Sequence, residues 1–343
     1  MKDGVYYSEY LQLDKILGAQ ELESDKANDH AHDEMLFIII HQSYELWFKQ
    51  ILFEVGSVMK IMSQPNISDN SPDLFTVNHR LSRVVTILDI LVQKVDILET
   101  MTSLDFLDFR NRLRPASGFQ SIQFKLLEAH LGLRMQNRHG KEYYTSQLKP
   151  EDKKIIEDVE KTKPLIDLVN DWLERMPFFD KPEYWNGDAA TGNEQPFWKQ
   201  FSAAYSTSLV DAEKTNYARF EDLFLSADKK AEWSLSPKAR RAALFILMYR
   251  DYPLLQMPFQ FINNLLEIDN TLSAWRFRHI NMVHRMIGTR TGTGGSTGKD
   301  YLQGALNSHY IFKEFAELTT FMIERNKLPK LSPELSKRLG FGL

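Results

Sequence analysis

Cysteine is absent from this 343-residue chain. Without it there are no disulfides, no thiolate nucleophile and no iron–sulfur cluster, and haem cannot be thiolate-ligated or covalently attached as in c-type cytochromes. A metal would have to be held by His, Asp, Glu, Tyr or Met. Glycine and proline are few, 16 and 13, and no period-two alternation marks strands. The longest apolar run, MLFIII, is far shorter than the roughly 20 residues of a membrane helix. The opening MKDGVYYSEY has no apolar signal core. Net charge is only −4, so no global field favours nucleic acid or acidic lipid. The expectation is a cytoplasmic protein with neither as a partner.

The rest of the composition is ordinary for a globular protein, 43% hydrophobic and 26% charged, with enough length for a large core. In FTVNHRLSRVVTILDILVQKVDIL (75–98), Val77, Leu81, Val84, Leu88, Leu91 and Val95 recur at helical spacing. Long helices are expected over 32–62, 255–287 and 299–325 as well, and shorter ones over 103–112, 118–130, 152–174, 196–225 and 238–250. The fold class is therefore all-α, a helical bundle with elaborations. The chain reads as one domain over 1–343, with an N-terminal arm over about 1–30. A polar, turn-rich stretch, FFDKPEYWNGDAATGNEQP (178–196), opens a small helical lobe over about 178–238. PASGFQS (115–121) is a turn that starts a helix, with Ser117 placed to cap it.

Two histidines face apolar stripes. Phe37, His41, Tyr44 and Phe48 are spaced i, i+4, i+7, i+11 and share one helix face. Leu272, Trp275, His279, Met282 and Met286 form a second stripe, with His279 at its centre. His284 lies about 140° around the same helix and faces solvent. On spacing alone the simpler reading of each is a buried neutral imidazole bonded to a carbonyl. Together they allow another. A zinc site wants three or four ligands close together, and no H-E-x-x-H motif or paired carboxylate lies near either residue. A planar, apolar cofactor with one axial imidazole would suit His279, leaving His41 to face a substrate.

Two polar elements could hold a small zwitterion. Arg110 follows Phe106 by one turn and lies on a partly apolar face, where a guanidinium can clamp a carboxylate. The alternative is a salt bridge to Asp105 or Glu99. GTRTGTGGSTGKD (288–300) fails as a phosphate loop: Thr293 stands where a Walker A glycine belongs, and Asp300 follows the lysine. It fails as a dinucleotide fingerprint at Thr297. What remains is a glycine loop rich in hydroxyls, able to close over a ligand.

The blocks HDEMLFIIIHQSYELWFKQILFE, ILETMTSLDFLDFRNRLRPASGFQS, WLERMP and WRFRHINMVHRMIGTRTGTGGSTGKDYL resemble the tryptophan 2,3-dioxygenases, in the family's order. The resemblance covers most of 7–130 and 240–310 and a patch near 165–177. It implies a helical dioxygenase with one haem b per subunit, ferrous in the active state, that uses O2 to open the indole C2–C3 bond of L-tryptophan. The product would be N-formyl-L-kynurenine, the first step of tryptophan degradation by the kynurenine pathway.

The resemblance also implies roles. His279 would be the axial ligand of haem iron, with Trp275, Ser117 and Gly118 beside the haem. His41 would meet the indole N–H as orienting group or base, Phe37 and Phe106 would pack on the substrate, and Arg110 and Thr293 would hold its carboxylate and ammonium. Tyr7 and Tyr10 match an N-terminal segment that enters the neighbouring subunit's site in a homotetramer. Trp172, Arg175 and Pro177 match part of an accessory tryptophan site, for which the region before residue 75 does not obviously supply the acidic partner. A haem- or tryptophan-binding sensor without turnover is the main alternative. It would keep His279 but would not need Arg110, His41 and the glycine loop together. A dioxygenase acting on other indoleamines and a haem-free scaffold are further readings.

Overall fold

The computed structural model describes residues 4–65, 67–138, 141–176, 178, 184, 196–226, 233–290, 303–306 and 308–340. All regular structure among them is helical. Nine helices carry the argument: α1 (Asp33–Met62), α2 (Pro72–Leu98), α3 (Ser103–Arg110), α4 (Ile122–Leu131), α5 (Pro150–Glu160), α6 (Leu165–Glu174), α7 (Pro196–Ser208), α8 (Pro237–Met248) and α9 (Pro253–Ile287).

Local chemistry sets several of the starts. Ser71 Oγ accepts from the Leu74 N–H at 3.2 Å and Pro72 fills the first turn of α2, where its missing N–H costs nothing. Ser236 and Pro237 do the same for α8. Thr102 and Asp105 form a reciprocal capping box on α3. Ser121 caps α4, which splits the expected helix 118–130 into a short 3-10 turn (Gly118–Gln120) and α4.

The apolar faces then pack. Helix α2 lies between α1 and α9, and α4 lies against α1. Ile51, Val55, Leu74, Val77, Leu81, Leu265 and Ile268 are among the sealed residues between them. Aromatic residues between 197 and 224, with Trp233, join this main core. A second cluster, including Ile40, Val95, Leu98, Phe109, Met282 and Met286, forms at one end of the α1–α2–α9 layer. Phe37, Phe106 and Trp275 lean on it.

Three further helix expectations fail. The stretch 196–225 is α7 followed by a 3-10 turn (Asp211–Glu213), a short α-helix (Thr215–Phe220) and a π turn (Glu221–Leu225). The stretch 152–174 is two helices, because Pro164 supplies no N–H and disfavours helical backbone at the residue before it. The expected helix 299–325 is broken. Its described part is helical at 303–306 and 308, irregular at 309–312, and helical again from Lys313 to Glu317. Buried Asp269 of α9 takes the N–H groups of Ile311 (3.1 Å) and Phe312 (2.5 Å), so a tertiary partner satisfies donors that a helix would have used. Among the described residues no helix is long and apolar enough to cross a membrane.

Candidate active site

A cavity of about 300 Å³ opens between α1, α3, α4 and α9. It collects most of the residues singled out in the sequence: Phe37, His41, Phe106, Arg110, Ser117, Gly118, Trp275 and His279 all border it. Three are not placed there. Thr293 lies outside the described residues. Tyr7 and Tyr10 sit in a short helix, Tyr7–Leu11, and are 74% and 75% exposed on the surface of their own chain.

His41 reaches the cavity from α1. Its Nδ1 lies 2.6 Å from the Phe37 carbonyl oxygen. A carbonyl only accepts, so Nδ1 carries the proton and the lone pair is on Nε2. Burial holds the imidazole below its ordinary pKa, opposed by the Phe37 bond and by the charge of Glu45. The Phe37 ring lies 4.1 Å from the His41 ring and 5.6 Å from Phe106, centre to centre. Glu45, one turn on, is held by Gln123 of α4 at 2.9 Å.

His279 faces the same cavity from α9. Burial, with the charge of His41 adding to it, pushes its pKa down to about 4. The indole of Trp275 stacks on the imidazole, 5.2 Å between centres and 6° from parallel. The Nδ1 atom is buried and has no hydrogen-bond partner. His284, as expected, is on the exposed side of the helix.

Arg110 ends α3 and is 5% exposed. Burial lowers its pKa, and the nearby charges of Arg114 and Arg290 add to the effect. Asp105 caps its own helix, and Glu99 takes Arg278 at 3.2 Å. With Arg114 and Arg290 nearby, the guanidinium adds to a positive field at the cavity edge that Phe106 and Phe37 also line. Ser117 caps the turn that follows, accepting from the Phe119 N–H at 3.4 Å. A Cβ built on Gly118 would meet no protein atom within 4 Å, so this part of the wall is backbone facing open space.

Sequence reasoning missed a polar wall. Lys125 and Glu128 of α4, Arg276 of α9, Tyr144 and His309 also border the cavity. In FQSIQFKLLEAH the pair Lys125 and Glu128 reads as an i, i+3 ion pair on a solvated face, and only the packing of α4 shows that this face is buried. The one available signal was Arg276, inside the block WRFRH. Elsewhere, Arg175 pairs with Asp69 at 2.5 Å and lies 5.1 Å over the Trp172 ring. The region before residue 75 thus does supply an acidic neighbour, while Pro177 lies outside the described residues. Among the described residues no three His, Asp or Glu side chains converge as a metal-only site would need.

A family model described as tryptophan 2,3-dioxygenase matches residues 1–322. The chain is 41% identical to the tryptophan 2,3-dioxygenase of Alteromonas mediterranea and 40% identical to that of Bdellovibrio bacteriovorus, covering 98% of both partners in each case. It is 38% identical to the mouse (Mus musculus) enzyme of that name, over 98% of this chain and 87% of the other. With a helical fold, two neutral imidazoles on one apolar cavity and a family match spanning nearly its whole length, this chain belongs to the tryptophan 2,3-dioxygenase family.

Proposed function

We propose that the protein catalyses the oxidative opening of the indole ring of L-tryptophan by O2, giving N-formyl-L-kynurenine, at the cavity between α1, α3, α4 and α9. Both oxygen atoms end in the product, so no external reductant is consumed. The observation that carries the placement is the pair His41 and His279, two neutral imidazoles from separate helices facing one apolar cavity that also borders a buried arginine.

The residues fit a haem. His279 offers an uncharged imidazole with a stacked indole behind it, Gly118 leaves the wall open, and most of the lining is apolar. That is the environment of a planar macrocycle with one axial histidine. Haem iron held there by His279 would supply the binding and activation of O2. The chain's own residues supply recognition. His41 Nε2 accepts the indole N–H, and because Nδ1–H is tied to Phe37, the acceptor tautomer is fixed before substrate arrives. Phe37 and Phe106 offer ring faces to the indole. Arg110 takes the carboxylate as a charge-assisted, bidentate pair, with Thr293 of the glycine loop completing the hold on carboxylate and ammonium.

The remaining parts of the reading concern assembly. Tyr7 and Tyr10, exposed on their own chain together with Val5, Tyr6 and Leu17, are the side chains of an arm that enters a neighbouring subunit's site in a homotetramer. One haem b, ferrous in the active state, serves each subunit of a cytoplasmic enzyme. The test is an absorption spectrum of the protein, reconstituted with haem if colourless, then reduced and given L-tryptophan in air. A strong Soret band with growing N-formylkynurenine absorbance is expected. A band that shifts with tryptophan but yields no product makes the protein a sensor, and no haem uptake refutes the reading.

A further inference from the structure

We propose that the polar wall of the cavity is a carboxylate site, in which Lys125, backed by Arg276 and Arg138 around Glu128, receives the propionate carboxylates of the bound haem. This rests on the haem reading above and assigns a ligand group to a cluster which that reading leaves unused.

The cluster is an excess of buried cations. Lys125, Arg138 and Arg276 are 6%, 3% and 5% exposed, and the single carboxylate among them, Glu128, is 4% exposed. Arg276 donates from Nη2 to Glu128 Oε1 at 2.7 Å and from Nη1 to the His309 carbonyl at 3.0 Å. Arg138 donates from Nη1 to Glu128 Oε2 at 2.5 Å. Burial alone would raise the Glu128 carboxyl, but Arg138, His309 and Arg276 hold it well below the ordinary range. Glu128 is thus fully committed as a shared counter-ion, one charge against three.

What remains is unbalanced. Arg138 keeps Nε and Nη2 without hydrogen-bond partners, and its guanidinium lies 3.7 Å from the centre of the Tyr144 ring. The Lys125 ammonium lies 4.6 Å from the same ring. A ring face softens one cation, not two. Burial pushes the Lys125 ammonium down to about 8, with Arg138 adding to the effect and Glu128 opposing it. Leaving such charges buried without a counter-charge is costly. Lys125, Arg276 and Glu128 all border the cavity that His279 faces, so a ligand there meets them directly. Haem b carries two carboxylates, which match the two charges that Glu128 leaves uncompensated among the described residues. The other cationic edge, Arg110 with Arg114 and Arg290, adjoins the Phe37–Phe106 pair on α1 and α3. The two anions are thereby sorted, amino-acid carboxylate at α3 and cofactor carboxylates at α4 and α9.

The test uses the full chain stripped of haem and titrated with haem and with its dimethyl ester, in which both carboxylates are neutral, read by the Soret band. The wild-type chain should bind haem tighter than the ester by roughly ten- to a hundredfold, the span of one or two charge-assisted bonds. Lys125→Met should shrink that preference at least tenfold, Lys125→Arg should keep it, and Arg110→Met should leave it unchanged. Equal binding of the two porphyrins by the wild-type chain overturns the proposal and spares the haem reading. So does a preference that survives in Lys125→Met but is lost in Arg110→Met. Uptake of neither porphyrin overturns the haem reading, and the proposal with it.

Discussion

Replacing Arg110 by Met removes the charge at the end of α3 while keeping an unbranched side chain of similar length. The guanidinium it removes is 5% exposed in the wild-type chain, so water cannot fully take its place at the substrate carboxylate. A charged hydrogen bond contributes about 1.5–3 kcal/mol, and stranding a buried charge costs more, about 3–5 kcal/mol. Arg114 and Arg290 stay near the site and keep part of the attraction. The expected loss is therefore about 2–3 kcal/mol, a rise in KM for L-tryptophan of roughly 30- to 150-fold at about 1.4 kcal/mol per decade. Arg110→Lys keeps the charge but not the planar fork, and should lose roughly tenfold. The assay is N-formylkynurenine absorbance for L-tryptophan beside the corresponding product from tryptamine, which has no carboxylate. KM for tryptamine should change by less than about threefold. Equal losses for the two substrates, or no loss for L-tryptophan, would refute the clamp.

Three further perturbations test other parts of the argument. His41 is held neutral below its ordinary pKa, so tryptophan binding should survive a fall of pH through about 6.5 and weaken only below it, when protonated Nε2 can no longer accept. 1-Methyltryptophan, lacking the N–H, should show no such limb, and a limb at or above 6.5 for L-tryptophan would contradict an acceptor held neutral below its ordinary pKa. Asp269 has a pKa raised to about 6 by burial. The native state therefore binds its proton more tightly than the unfolded chain, and this contribution is fully present below about 4 and lost as pH rises through 6. The stability of wild type relative to Asp269→Asn, followed by urea unfolding, should fall by about 2–3 kcal/mol between pH 4 and 7; a flat difference would mean the group is not desolvated. Gly132 closes α4 at φ +135°, and a Cβ there would be driven into Ile166 Cγ2. Gly132→Ala should cost about 3 kcal/mol or more in unfolding free energy, and a near-neutral effect would show that α6 can move aside.

The sequence by itself determined the helices and the two imidazoles. Their signals are local: an apolar residue every three to four positions, a serine or threonine before several of the starts, and a histidine on each of the two site-facing stripes. Phe37, His41 and Tyr44 share a face for the same reason that any i, i+4, i+7 set does. Arg110 was also readable, because Phe106 one turn earlier marks its face as half apolar. The breaks at Pro164 and before Ile311 were harder. The first is a local effect overridden by a long helical pattern, and the second exists only because Asp269, some forty residues away, takes two N–H groups. Tertiary structure alone decided that α4 turns Lys125 and Glu128 inward, since an ion pair at helical spacing looks the same on a wet face as on a buried one. It also decided that Arg138, Arg276 and Lys125 share one carboxylate. Charge balance inside a cavity is a sum over segments distant in sequence, and only packing brings those segments together.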